Sequence, residues 1–329
     1  MVGHGPLIAA AVRRLLAGDV VGFPTETVYG LAADAGNAAA VARIFALKGR
    51  PPDHPLIVHI ADPSGLARWA VHVPPAAVHL AAAFWPGPLT LILPRAPSVL
   101  DAVTGGQNTV GLRCPSHPLA LRLLQSCTEA GIFGLAAPSA NRFGHVSPTS
   151  AAHVQAEFGA ALLVLDGGPT TVGIESTIVD LSGESPRLLR SGMLDEAQLV
   201  AVLGQPLMRA QTGAPRVSGS LAAHYAPATP LELVAAPELA SRILQSQRAG
   251  LRVALLVRQP LSTMPTENVW IFNMPQDAAG YAQQLYGRIR EADALALDAI
   301  LVEALPTDLG WAGLRDRLQR AACGAGRRS

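Results

Sequence analysis

Four cations, Lys48, Arg50, Arg113 and Arg190, fall where a helix pattern or an apolar run stops. Around them stand neutral hydrogen-bonding side chains: Thr25, Thr109, Ser139, Asn141, Ser147, Ser176 and Thr177. Guanidinium forks match carboxylate and phosphate oxygens in pairs, while hydroxyls and amides orient a ligand without adding charge. Such a set suits an anionic small molecule and a reaction run by positioning and charge stabilisation, without a protein nucleophile. For any one Ser or Thr, a helix cap or turn is the commoner role.

The densest stretch runs from Phe23 to His59. An apolar strand (Val20, Val21, Gly22, Phe23) must stop at Pro24, which has no N–H to give a ladder. Thr25, Glu26, Thr27 and Tyr29 then stand at the strand end, and Gly30 permits a bend or a close approach. Open α/β sheets place ligands at the carboxyl ends of strands. Lys48 and Arg50 close a helix that Asn37 caps and lead into the strand Leu56–Ile60. Cations there suit phosphate, carboxylate or bicarbonate, and they also suit the helix dipole alone. Taken singly, Thr25–Thr27 is more often a turn plus a helix cap; the two stretches together favour a site.

The elements that must position these groups are read from pattern. Helices are predicted at Leu7–Ala17, Asn37–Lys48, Pro63–Ala70, Pro75–Phe84, Pro118–Glu129 and Ser150–Phe158, and from Asp195. Strands are predicted at Asp19–Phe23, Leu56–Ile60, Leu89–Leu93, Thr109–Arg113, Gly134–Ala137, Leu162–Asp166, Gly173–Asp180 and Leu188–Arg190. Residues 205–230 lack periodicity and read as a linker; an unstructured stretch of that length is often functional. Strands at Leu231–Val234, Arg252–Val257, Val269–Phe272 and Ala299–Val302 then alternate with helices at Glu238–Gln247, Asp277–Ala292 and Trp311–Ala322. That alternation implies a small parallel, Rossmann-like α/β domain. The arginines at 315, 317, 320, 327 and 328 read as a solvated face of its last helix.

Several function classes drop out. There is no Walker A, GxGxxG, kinase loop, HExxH or G-x-S-x-G elbow. His54 and His59 are five residues apart across a strand, which does not suit a shared metal. The net charge of +1 gives no global field for nucleic acid or membrane. No run reaches the roughly eighteen apolar residues of a span, and the N-terminal apolar run is cut by Arg13 and Arg14. Three cysteines form no CxxC pair, which fits a reducing compartment. A soluble cytoplasmic protein is expected.

The motifs taken together resemble the YrdC-like family of threonylcarbamoyl-adenylate synthases, in its longer two-domain form. They are Pro24–Leu31, Lys48 and Arg50 with Pro55–His59, Trp85–Thr90, Thr109–Arg113, Ala137–Asn141, Ser147–Thr149, Gly173–Thr177, and Leu189 with Arg190. His224, Tyr225, Ala226 and Pro227 in the linker and the appended α/β domain match the longer form. The resemblance implies a twisted mixed-sheet domain around a large cavity over 1–204, a linker acting as lid over 205–230, and a Rossmann-like domain over 231–329. It implies synthesis of threonylcarbamoyl-AMP and pyrophosphate from L-threonine, bicarbonate and ATP, for N6-threonylcarbamoyladenosine in tRNA. Carried across by position, Thr25, His59, Arg113, Ala137 (through its backbone) and Ser176 would hold threonine. Arg50, His54, Thr109, Ser139, Asn141, Ser147, Arg190 and Tyr225 would hold ATP, with Lys48 and Arg50 the catalytic cations. Mg²⁺ is expected with the triphosphate, with no protein metal site, and downstream threonylcarbamoyl transferase proteins would take the product.

Two positions depart from the family pattern. His54 stands where many relatives have Asn, and Ser218–Ala223 stands where relatives often carry Met and basic residues. Two further readings remain: a carbamoyl-transfer maturation factor, whose zinc-finger cysteines this chain lacks, and an RNA-binding or ribosome-assembly module. Aromatics at 5% argue against stacking on single-stranded RNA, while weak RNA binding stays open.

Overall fold

A computed structural model describes residues 5–209, 213–219, 221–259 and 268–326. The chain divides into two compact units: 1–143 with 148–171 and 175–220, and 144–147 with 172–174 and 221–329. The stretch expected as a linker is therefore shared between them.

The first unit is built on a nine-stranded mixed sheet. Its strands are β1 (Val21–Phe23), β2 (Gly30–Asp34), β3 (Ile57–His59), β4 (Leu89–Pro94), β5 (Thr109–Arg113), β6 (Leu135–Ala136), β7 (Thr177–Asp180), β8 (Arg187–Arg190) and β9 (Met208–Arg209). They lie in the order β1-β2-β6-β3-β5-β4-β7-β8-β9. Val58, Leu89, Leu91, Leu93, Val110, Leu112 and Val179 pack in one cluster with Ile44, Leu66, Leu80 and Leu199 from helices. Alternate residues must face the other way. Over β1, β2 and β6 that second face is also apolar: Phe23, Ala32 and Leu135 pack with Ile8, Leu15, Leu119 and Leu123. Helices Gly5–Leu16 and Pro118–Glu129 supply those last four residues.

Several predicted strands are shorter than expected, two of them markedly. Of Leu162–Asp166 only an isolated bridge remains, between Val164 and Gly22. The edge strand it meets, β1, is three residues long and runs into Pro24, so no ladder can extend. Of Gly173–Asp180 only β7 is a strand. Gly173 has φ +88°, a left-handed conformation that breaks a strand, and it belongs to the second unit. Conversely, β2 escapes sequence patterning because four of its five residues are buried and no alternation shows.

The second unit carries a parallel sheet in the order β10-β13-β11-β12, from β10 (Leu231–Val234), β11 (Val253–Val257), β12 (Val269–Asn273) and β13 (Ala299–Glu303). Helices Leu239–Arg248, Ala278–Ala294 and Ala312–Gly324 accompany it. Its basic helix is not a solvated face. Arg317 is fully buried beside Asp316, and Arg320 binds the same carboxylate at 2.9 Å. Arg315 donates to the carbonyls of Pro306 and Asp308. These guanidiniums are engaged in holding the unit together; Arg327 and Arg328 lie outside the described residues. No described helix is long and apolar enough to cross a membrane.

Candidate active site

The site follows from the register of the first unit's sheet. Directly opposed residues share a face. His59 opposes Arg113 and Ile57 opposes Gly111 between β3 and β5. Gly111 opposes Ile92 between β5 and β4, and Thr90 opposes Ile178 between β4 and β7. Ile178 in turn opposes Arg190. Between β3 and β8 this second face therefore carries His59, Thr109, Gly111, Arg113, Thr90 and Arg190, with a strip of isoleucine.

Arg190 reaches that face through an irregularity. The β7–β8 register shifts between Ile178 and Val179, so that Val179 opposes Leu188 while Ile178 opposes Arg190. Plain alternation would have put Arg190 on the same side as Leu188, in the core. The bulge turns it over. Its Nε then donates to the Ser176 carbonyl at 3.0 Å and its Nη2 to Ser176 Oγ at 3.1 Å. Ser176 Oγ also lies 2.7 Å from Thr90 Oγ1.

Arg50 comes to the site from the helix Ala38–Lys48. Asn37 Oδ1 caps the start, accepting from the N–H groups of Ala39 and Ala40. Gly49, at φ 61°, ends the helix in the left-handed conformation that glycine accepts without strain. Arg50 Nη2 donates to the Pro55 carbonyl at 2.9 Å and to Ser218 Oγ at 3.0 Å. Arg190 Nη1 donates to the carbonyl of the same Ser218 at 2.7 Å. Two cations 140 positions apart in sequence thus meet on one residue of the expected linker. Val217 beside it packs on Ile92 and Ile178. The gap left beneath this segment is only about 10 Å³.

Lys48 is buried, and its Nζ donates to the carbonyls of Ser139 and Asn141 at 2.6 and 2.5 Å. Burial, and then the nearby Arg50, pull its pKa well below the usual lysine value, while Glu157 opposes them. The two carbonyls favour the ammonium, and an incoming anion would favour it further. His54 is half-buried, edge-on to Phe143 at 5.3 Å, with the Arg50 guanidinium 5.9 Å from that ring. Burial, and then Arg50, lower its pKa, while Asp53 opposes them.

At the carboxyl ends of β3 and β5 stands a second cluster. Arg113 Nη2 is 2.6 Å from Glu26 Oε1, with both side chains 5% exposed. Glu26 Oε2 accepts from the Ser116 N–H at 3.0 Å. His59 is buried edge-on to Phe23, and its Nδ1 has no hydrogen-bond partner among the described residues. Burial, and then Arg113, lower its pKa to about 3. A neutral imidazole with an unsatisfied nitrogen beside a guanidinium suits a ligand with both carboxylate and hydrogen-bonding groups.

The remaining predicted residues separate. Thr25 Oγ1 donates to the Val28 carbonyl at 2.6 Å and accepts from the Thr27 and Val28 N–H groups, so the turn reading of that stretch holds locally. The Ala137 N–H is taken by the Ile57 carbonyl, which leaves its own carbonyl as the backbone group for a ligand. Thr177 opposes Leu89 and points into the core. Tyr29 is also structural: its hydroxyl donates to the Gly168 carbonyl, and burial pushes its pKa up to about 12. Ser147 and Tyr225 belong to the second unit. There the Ser147 carbonyl accepts from Arg290, and Tyr225, at φ 60°, stacks on Tyr286 near the Arg317 guanidinium. Sequence reasoning assigned no role to Glu26, Thr90, Gly111 or Ser218. Only Glu26 carried a signal, as a carboxylate flanked by hydroxyls at a strand end.

Fold and site together define an α/β protein with fixed cations gathered on one sheet face, chemistry that suits an anionic ligand. Residues 13–192 match the family model described as telomere recombination, the Sua5–YciO–YrdC family, and residues 194–323 match the threonylcarbamoyl-AMP synthase C-terminal domain. Threonylcarbamoyl-AMP synthase of Bacillus subtilis is 41% identical, over 98% of this chain and 94% of the relative. That of Pyrococcus abyssi is 36% identical, over 96% and 94%. The crystal structure of P. abyssi Sua5 complexed with L-threonine superposes with a TM-score of 0.87 at 34% identity, covering 96% of this chain and 94% of that one. The chain belongs to the threonylcarbamoyl-AMP synthase family, in its two-domain form.

Proposed function

We infer that this protein is an L-threonylcarbamoyladenylate synthase, a nucleotidyltransferase serving the N6-threonylcarbamoyladenosine modification of tRNA. L-Threonine, bicarbonate and ATP give threonylcarbamoyl-AMP, pyrophosphate and water. The observation that supports it best is the convergence of Arg50, Arg113 and Arg190 on one polar sheet face, with Lys48 buried two residues before Arg50.

In the proposed arrangement the free edge of Arg113 takes the threonine carboxylate, and neutral His59, Ser176 and the Ala137 carbonyl orient the rest of the amino acid. Arg50 and Arg190, now holding Ser218, take phosphate oxygens when the nucleotide displaces that segment. Thr109, His54, Ser139 and Asn141 line the nucleotide's approach. The amine of threonine attacks bicarbonate carbon and water leaves. The resulting carbamate oxygen then attacks the α-phosphorus and pyrophosphate departs. Lys48 and Arg50 stabilise the charge that builds in both steps. The segment 216–218 acts as the cover that keeps water from the mixed anhydride.

Among the described residues no three His, Cys, Asp or Glu side chains form a metal-holding group. A guanidinium-lined face fits a metal that arrives on the triphosphate with water as its other ligands. Mg²⁺ would supply charge neutralisation on the phosphates there. The product, a labile anhydride, would pass to a threonylcarbamoyl transferase.

The test is pyrophosphate release from ATP by the full chain, with threonine and bicarbonate each omitted in turn. Release should require both. Release indifferent to either would remove the reading.

A further inference from the structure

We propose that Glu26 is a positioning residue for the amino-acid substrate: its carboxylate fixes the Arg113 guanidinium so that one edge is presented to the threonine carboxylate. This rests on the reading of Arg113 given above.

Glu26 is 4% exposed and lies within the turn that Thr25 closes on Val28. That turn fixes the backbone from which Glu26 projects. One carboxylate oxygen accepts from Arg113 Nη2 at 2.6 Å, and the other from the backbone N–H of Ser116 at 3.0 Å. Arg113 is further tied by Nε to the Gly87 carbonyl at 3.4 Å. Its Nη1 makes no hydrogen bond to any described residue. Glu26 and Gly87 thus hold one side of the fork and leave the Nη1 side for a ligand. Because Ser116 lies three residues beyond Arg113, where β5 ends, a single carboxylate clamps both the side chain and the segment that follows the strand.

Electrostatics alone would argue against Glu26. A carboxylate beside Arg113 weakens the field that attracts a second carboxylate. A buried ion pair is also poor value for stability, since apolar replacements do as well. Orientation is what it adds. An Arg side chain has several rotatable bonds, and in a dry site an unpaired guanidinium would swing to the nearest carbonyl. Displacement of a positioning group by about 1 Å costs up to roughly a hundredfold in rate. In this site orientation outweighs the lost field.

The test uses the full chain, with pyrophosphate release measured while threonine and ATP are varied separately. Glu26→Gln should raise the threonine KM about tenfold or more, with the ATP KM within about twofold. Glu26→Asp, which keeps the charge, should fall between Glu26→Gln and the parent, and serves if the Gln variant does not fold. In an Arg113→Ala background, Glu26→Gln should add nothing, because Glu26 acts through Arg113. An unchanged or lower threonine KM in Glu26→Gln, while Arg113→Ala raises it, would overturn the proposal and leave the Arg113 reading standing. An equal further loss in the Arg113→Ala background would also overturn it. If Arg113→Ala itself left threonine KM unchanged, the carboxylate site would be wrong and the proposal would fall with it.

Discussion

The two faces of the nine-stranded sheet are made by the same strands and do opposite work. Leu112 is fully buried in the core cluster; its neighbour Arg113 faces the other way and meets Glu26. Val110 and Gly111, Leu91 and Thr90, and Val58 and His59 divide in the same manner. One face buries aliphatic surface and holds the unit together. The other, between β3 and β8, carries cations, hydroxyls and a glycine beside a strip of isoleucine that Val217 covers. The lesson is that this sheet can keep charged groups buried because its opposite face supplies the cohesion.

Mutations at adjacent positions should separate the two roles. Arg113→Ala should lower kcat/KM for threonine by roughly a hundredfold, the scale of truncating one partner of a buried charge pair. It should move ATP binding far less in calorimetry; equal loss of both would count against the division. Leu112→Ala should destabilise by about 3 kcal/mol in urea unfolding, the usual range for a fully buried leucine. Its threonine and ATP KM values should stay within about twofold, and a large KM change would show that the faces are not independent. Arg190→Lys keeps the charge but loses the fork that spans the Ser176 carbonyl and hydroxyl. About a tenfold loss in kcat/KM for ATP is expected, and full activity would mean that a point charge suffices. His59 is probed through pH. Its folded pKa of about 3 lies below the ordinary 6.5, so the unfolded chain binds the proton more readily between those values. The stability His59 contributes is complete above about pH 6.5 and is lost as pH falls toward 3. His59→Gln should flatten that part of the melting-temperature profile, and an unaltered profile would contradict the buried, neutral imidazole.

What could be read in advance follows from locality. Lys48 and Arg50 were legible because a helix, its Asn37 cap and Gly49 are set within a dozen residues. The strand delivering Arg113 had the expected limits, because Thr109–Arg113 alternates apolar and polar around a glycine. Three features were hidden. The bulge that turns Arg190 away from the core leaves no mark in the sequence around it. Glu26 was visible as a carboxylate, but its partner lies 87 positions on. Ser218 sits in an aperiodic stretch, and only tertiary packing brings it between Arg50 and Arg190. The resemblance to a known family supplied the substrates, which residue types alone had narrowed only to an anion.

A crystal structure of the full chain with L-threonine and a non-hydrolysable ATP analogue is the most direct test. The prediction is a threonine carboxylate on Arg113 Nη1, with Glu26 still on Nη2, and phosphate oxygens on Arg50 and Arg190 where Ser218 now sits. Ligands bound elsewhere, with Ser218 undisturbed between those two arginines, would contradict the assignment of the polar face.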